Sequence, residues 1–201
     1  MESWQWRADQ IVCLDESAFN ERTGHRKYGW APRGTKANTH LILKRSERWS
    51  VLPAYTIDGY ISAIVKQGSI TKEDFVDFVT NHVLPKCNPW PGPRSLLLMD
   101  NCSTHAANIL EPLCQAAGVR LRFLPLYTPW LNPIEGSFHD QKVYTRRYYA
   151  KTISEYKDFE SWLIALFHIR GRGPVAAKRA RHHFRNSGYN VEDSDNEDVD
   201  T

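Results

Sequence analysis

The sequence predicts an α/β fold, a mixed sheet flanked by helices, and three observations carry that expectation. The run Ser95-Leu-Leu-Leu-Met99 is apolar without alternation, the mark of a central parallel strand buried on both faces. Two β-prone runs, 48–56 and 60–65, are separated by Ile57-Asp58-Gly59, and Asp-Gly between such runs signals an antiparallel hairpin. A helical pattern over about 104–117 precedes the alternating Val119-Arg-Leu-Arg-Phe-Leu124, so strand, helix and strand form a right-handed parallel crossover.

The remaining elements follow in order. Gln10–Asp15 reads as the first strand, and 20–34 as a polar, turn-rich stretch. Pro53 inside the hairpin's first run implies an edge position or a bulge. Thr71 with Asp74 three residues later forms a capping pattern, and Phe75, Phe78, Val79, His82 and Val83 recur at helical spacing until Pro85. Pro112 should kink or split the 104–117 helix, which stops at Gly118. Residues 126–132 read as loop, and a helix begins at Pro133. A last helix near 154–169 aligns Tyr156, Phe159, Leu163, Leu166 and Phe167, and Arg170-Gly-Arg-Gly-Pro174 breaks it. Residues 191–201 hold too little apolar surface to order themselves.

A length of 201 residues suits one domain with a sizeable core, and 41% hydrophobic content argues for a folded globule. No apolar run approaches the ~20 residues of a membrane helix, and Met1–Arg7 lacks a signal-peptide core, so a soluble, non-secreted protein is expected. The four cysteines include no Cys-x-x-Cys pair, which favours reduced thiols over a zinc site. Cys102 reads as packing beneath the neighbouring acid more readily than as a nucleophile, and His182-His183 is a weak metal motif. The net charge of +3 hides an asymmetry: residues 191–201 carry six acids and no Lys or Arg, whereas 119–190 carry 13 basic residues against five acidic. Such an imbalance favours a polyanionic partner.

Three acids stand where elements end or begin. Asp15 closes one apolar run, Asp100 closes another, and Glu135 sits in the first turn of the helix that begins at Pro133, with 34 residues between it and Asp100. Carboxylates delivered by two strand ends and a helix start suit hard divalent cations, which take oxygen ligands. Each has a plainer reading: Asp15 as a turn residue, Asp100 as a strand end, Glu135 as the closing acid of a capping box with Asn132. His139, Lys142 and Arg146 follow Glu135 at +4, +7 and +11 on one helix face, with Arg147 beside them. They read as a DNA-backbone groove or a solvated face, and Arg33 and Trp30 are weaker candidates. Lys178-Arg-Ala-Arg181 is a short nuclear-import-like patch.

Four ordered motifs resemble the catalytic domain of the DDE transposases, of the mariner-type superfamily. Asp15-Glu-Ser-Ala-Phe19 resembles the first-aspartate motif, and Gly29-Trp-Ala-Pro-Arg-Gly34 the Trp-x-Pro-Lys/Arg-Gly turn. Met99-Asp-Asn-Cys-Ser-Thr-His105 resembles the second-aspartate motif, and Leu124-Pro-Leu-Tyr-Thr-Pro-Trp-Leu-Asn-Pro-Ile-Glu135 the phrase that carries the glutamate. The likeness covers roughly residues 10–150, with an echo in Phe184–Tyr189. Phe138 and Gln141 depart from the Trp and Leu of the family's Glu-x-x-Trp-x-x-Leu-Lys continuation, while Lys142 matches its Lys.

The resemblance implies a ribonuclease H-like fold, with a mixed five-stranded sheet flanked by helices. It implies a metal-dependent DNA endonuclease and strand transferase in which Asp15, Asp100 and Glu135 hold two Mg²⁺ or Mn²⁺ ions. Asn101 and His105 are candidates to orient a metal-bound group or phosphate, with polar packing at a helix start as the alternative for His105. Arg33, Lys142, Arg146 and Arg147 would face DNA, transposon ends and target. No membrane and no organic cofactor are expected, a homodimer stays open, and the location is the nucleus in a eukaryote or otherwise the cytoplasm. The expected organisation is an extension at 1–9, the catalytic domain at 10–190 and an acidic tail at 191–201. The family's upstream helix-turn-helix modules are expected to be lacking. Two other readings remain: a host-adapted remnant that binds DNA or protein without cleaving, and a ribonuclease acting on RNA/DNA hybrids.

Overall fold

Ile11, Val12, Cys13 and Leu14 have no exposed surface, and they form the strand around which the sheet is built, β1 (Ile11–Leu14). The computed structural model describes residues 6–24, 30–36, 47–100 and 107–192. Five further strands follow: β2 (Ser17–Phe19), β3 (Trp49–Thr56), β4 (Gly59–Gln67), β5 (Leu96–Met99) and β6 (Arg120–Phe123). β1, β5 and β6 run parallel, and β3 lies antiparallel to β1. β1 and β2 pair with the same edge of β3 in one unbroken register (Leu14 opposite Ala54, Ser17 opposite Val51). Six strands therefore fill five lanes, in the order β4, β3, β1/β2, β5, β6, which is the mixed sheet of a ribonuclease H-like fold.

The pause between β1 and β2 is Asp15-Glu16, and the shared register sets Asp15 opposite Pro53. Pro53 has no N–H to give to either neighbour. Around it both ladders are irregular: β1/β2 lapses opposite it, and β4 bulges beside it between Ala54 and Tyr55. β3 is an interior strand, so of the two positions foreseen for Pro53 the bulge holds and the edge does not. The edge strand on this side is β4, which turns back from β3 through Ile57-Asp58 at Gly59. Gly59 has φ +100°, and a Cβ there would lie 2.6 Å from the Gly171 carbonyl oxygen, so only glycine fits. Lys86 Nζ and an Arg172 guanidinium nitrogen both donate to the Ile61 carbonyl, at 2.8 and 3.1 Å, blunting that edge against further strand pairing.

Helices cover both faces. Helix α1 (Lys72–Phe78) starts with the foreseen reciprocal box, in which Asp74 N–H donates to Thr71 Oγ1 and Thr71 N–H to Asp74 Oδ2. Lys66 also pairs with Asp74. A π-helical turn and a tight turn containing Pro85 then end the segment. Helix α2 (Ala107–Ala116) contains Pro112 yet remains one helix. The ring removes the bond to the Asn108 carbonyl, and both residues are exposed, so that carbonyl is open to solvent and incurs no burial penalty. Helix α3 (Pro133–Thr152) begins where expected. Helix α4 (Phe159–Ala165) begins later than the sequence suggests, because Ile153–Glu155 closes as a tight turn and Asp158 is the cap, accepting from Ser161 N–H at 2.8 Å. Helix α5 (Pro174–Asn186) was not foreseen.

Side chains alternate across the sheet. Ile11, Cys13, Leu96 and Leu98 point into one core with Ile134, Phe138, Leu163, Phe167 and Phe184, from α3, α4 and α5 and the turn after α4. Val12, Leu14, Leu97 and Met99 point into the other with Phe75, Phe78, Leu110 and Cys114, from α1 and α2. The two departures in α3 are absorbed here. Phe138 is 3% exposed, and Gln141, at 4%, accepts a 2.9 Å hydrogen bond from Arg170, whose guanidinium lies 3.8 Å from the centre of the Tyr144 ring. Cys13, Cys87 and Cys114 are free thiols; burial pushes Cys87 up to about 12 and Cys114 up to about 11, so they are inert packing groups. No described helix is long and apolar enough to cross a membrane. Residues 193–201 lie outside the described residues.

Arg170→Met should destabilise the fold by about 1–3 kcal/mol, because it strands the buried Gln141 amide. Adding Gln141→Leu should restore most of that loss, measured as non-additivity in urea unfolding.

Candidate functional site

Parallel pairing of β1 with β5 sets Leu14 opposite Met99, so the next residues, Asp15 and Asp100, leave neighbouring strand ends side by side. Both share the parity of the side chains that face α3. Asp15 is largely buried at the pause before β2. Its Oδ1 accepts from Glu16 N–H at 2.7 Å, and its Oδ2 accepts from the Asn132 amide at 3.2 Å. Burial pushes the Asp15 carboxyl up to about 7; the Glu16 N–H bond opposes this, and the charges of Asp100, Glu135 and Glu16 add to the rise. Glu16 is raised too, first by burial and then by Asp100. Four carboxyl groups thus share one electrostatic neighbourhood at the ends of β1, β5 and the start of α3.

The start of α3 corrects the simplest reading of Asn132 and Glu135. Asn132 occupies the cap position, but its side chain makes no capping bond. Its amide donates to Asp15, 117 residues away in the chain, and its Oδ1 is buried with no partner among the described residues. Glu135 likewise closes no box; it stands exposed in the first turn of α3, where the helix dipole favours negative charge. The Tyr189 hydroxyl donates to the Leu131 carbonyl at 2.9 Å and ties down the loop that leads into this turn. That contact gives the Phe184–Tyr189 phrase a role.

The donor set consists of hard oxygens: three carboxylates that feel one another's charge and a buried amide oxygen unpartnered among the described residues. It fits a divalent cation such as Mg²⁺ or Mn²⁺ in chemistry. Among the described residues, however, no three His, Cys, Asp or Glu side chains stand close enough to form a ready-made cage. Asp15 gains no compensating cation from the described residues. Like charges at this density repel, and that repulsion is what a bound cation would relieve.

The other candidates fall around this centre. α3 is continuous, so Glu135, His139, Lys142 and Arg146 do share a flank of it. The Lys142 ammonium lies 5.7 Å from the centre of the Phe19 ring at the end of β2, and Arg147 rests over Tyr148 at 6.0 Å. None of Lys142, Arg146 and Arg147 makes an ion pair with a described residue. Arg33 and Trp30 are both exposed. Asn101, Cys102 and His105 lie outside the described residues. His182 and His183 do not form a metal pair: His183 is enclosed by Tyr55 and Asp140. Sequence reasoning weighed Glu16 as the acid adjacent to Asp15 and preferred Asp15 on the resemblance, and it read Asn132 only as a cap. Adjacency to Asp15 was the one available signal for Glu16, and nothing local signalled the long-range bond of Asn132.

Residues 10–157 match the family model described as DDE superfamily endonuclease. No curated protein matches the chain in sequence. Among solved structures, the Mos1 transposase in its paired-end complex with the left transposon end superposes with a TM-score of 0.61 at 17% identity, covering 94% of this chain and 57% of that one. The Mos1 mariner paired-end complex with Mn gives 0.60 at 18% identity, covering 91% and 57%. The fold is therefore shared, and the chain spans little more than half the length of these transposases.

Asp15→Asn should stabilise the metal-free protein. The folded carboxyl titrates near 7, above its ordinary 3.8, so its charged form penalises folding fully above pH 7. The penalty fades as pH falls towards the ordinary value. The expected gain is up to ~4 kcal/mol at pH 8, vanishing near pH 4, read from unfolding midpoints in EDTA.

Proposed function

The chain belongs to the DDE superfamily of endonucleases, and from that premise we propose that it is the catalytic domain of a mariner-type transposase that cleaves and joins DNA. The observation that carries this reading is the delivery of Asp15 and Asp100 by adjacent parallel strand ends, beside the helix start that bears Glu135. In this reading Asp15, Asp100 and Glu135 hold two Mg²⁺ or Mn²⁺ ions. Such ions, when bound, supply activation of the attacking oxygen and charge stabilisation at the scissile phosphate.

The chain's own residues contribute position. Asn132 holds one oxygen of Asp15 through its amide and keeps that carboxylate aimed at the α3 side. The uncapped first turn of α3 presents its N-terminal dipole to anionic oxygens. Lys142, Arg146, Arg147 and Arg33 contact the phosphate backbone, which fixes the DNA's register and carries no sequence information by itself. The nucleophile is water for cleavage and a DNA 3′-hydroxyl for joining, so no protein nucleophile is required, in keeping with the inert described thiols. The protein acts where its host keeps DNA: the nucleus of a eukaryote, or otherwise the cytoplasm.

Purified protein should nick duplex DNA in Mg²⁺ or Mn²⁺, and Asp15→Ala, Asp100→Ala or Glu135→Ala should each abolish nicking with the circular dichroism spectrum unchanged. Undiminished nicking by these variants would remove the assignment; DNA binding without any nicking by the parent would point to a non-cleaving module.

Arg146→Ala with Arg147→Ala should weaken DNA binding evenly across sequences and reduce the slope of log affinity against log salt by about one per lost contact, in fluorescence anisotropy titrations.

A further inference from the structure

The first two turns of α3 are fastened from three sides. The Tyr60 hydroxyl of β4 donates to Ser137 Oγ at 2.9 Å, and Tyr189 holds the preceding loop. The third fastening is the closest. A Cβ on Gly136 would lie 2.8 Å from His183 Cδ2 and 3.0 Å from its Cγ, so the imidazole of α5 rests on the bare Cα of the residue after Glu135. That ring is not the loose end of a flexible chain. Tyr55 Oη stands 2.8 Å from His183 Nδ1, and Asp140 Oδ2 stands 3.4 Å from Nε2. Asp140 accepts, so Nε2 carries the proton and Nδ1 accepts from the Tyr55 hydroxyl. The ring's side chain is only 10% exposed, and β3, α3 and α5 converge on it.

We infer that His183 is a positioning residue for Glu135: its locked ring, seated on Gly136, sets how closely the first turn of α3 approaches the end of β1. The inference rests on the reading of Asp15, Asp100 and Glu135 as cation-holding carboxylates, and it adds a residue 48 positions beyond Glu135 that touches no cation itself. Gly136 is the permissive partner, because any side chain at 136 displaces either the ring or the helix turn. Displacement of that turn by a few tenths of an ångström moves the Glu135 carboxylate, while the core on the α1 and α2 side of the sheet stays in place. A support that orients a ligand in this way typically changes metal affinity ten- to a hundredfold when broken.

The test is Mn²⁺ titration calorimetry on the purified chain, with unfolding midpoints measured in EDTA on the same samples. Gly136→Ala should weaken Mn²⁺ binding by about tenfold or more. The pair Gly136→Ala/His183→Ala, which removes the ring that the new methyl would strike, should return to within about threefold of His183→Ala alone. Affinity in Gly136→Ala equal to the parent's, with binding lost in Asp15→Asn, would overturn the positioning role and leave the carboxylate site standing. So would a double variant as weak as the sum of its parts, which is general damage and not a relieved clash. Binding in Asp15→Asn as tight as in the parent would overturn the carboxylate reading and this inference with it.

Discussion

Negative charge gathered into one small volume is the constraint on which the rest of the molecule depends. Asp15 is pushed up to about 7 because burial and three neighbouring carboxyl groups all oppose its ionisation. A fold selected for stability alone would disperse these groups or pair them with Lys and Arg. Here the described cations of α3 stand along the helix flank and form no ion pair with the acids. That repulsion opposes folding of the metal-free protein, and a cation held there, as proposed above, would relieve it.

Rigid elements bear that load. β1 and β5 have no exposed side-chain surface, and their parallel register leaves Asp15 and Asp100 abreast. The ladder irregularities around Pro53 coincide with the pause at Asp15-Glu16, so the carboxylate emerges where strand pairing has lapsed. α3 is then held against the sheet by hydroxyl groups from β4 and the C-terminal segment. Its first turn gives up the side-chain cap that Asn132 would ordinarily provide, because that amide is engaged by Asp15.

What was legible in the sequence was local. The Asp58-Gly59 turn, the Thr71/Asp74 box and the unalternating Leu96–Met99 strand each depend on residues a few positions apart, and all appear in the structure. Asp15 and Asp100 were legible as acids ending apolar runs, and the pairing of those runs brings them abreast. Three features escaped because distant partners decide them. Asn132 has the pattern of a cap, and a carboxylate 117 residues away redirects it. Gln141 looks like a polar intrusion into a core stripe until Arg170 is seen to satisfy it. Helix α5 was hidden by composition: its basic residues and the preceding Arg-Gly-Arg-Gly obscured Ala176, Ala180 and Phe184 recurring at four-residue spacing behind Pro174. His183 in that helix was read as half of a weak metal motif, and it is a packed ring.

The alternation of side chains across the sheet carries one further consequence. Ile11, Cys13 and Asp15 point towards α3, while Val12 and Leu14 point towards α1 and α2. Inserting or deleting a single residue between Ile11 and Leu14 would swap odd for even and send the carboxylate into the opposite layer, behind the sheet from Glu135. A change of two residues would preserve its direction. The spacing of this strand is therefore held by parity as much as by length, and lineages that retain the carboxylate's function should tolerate indels here only in pairs.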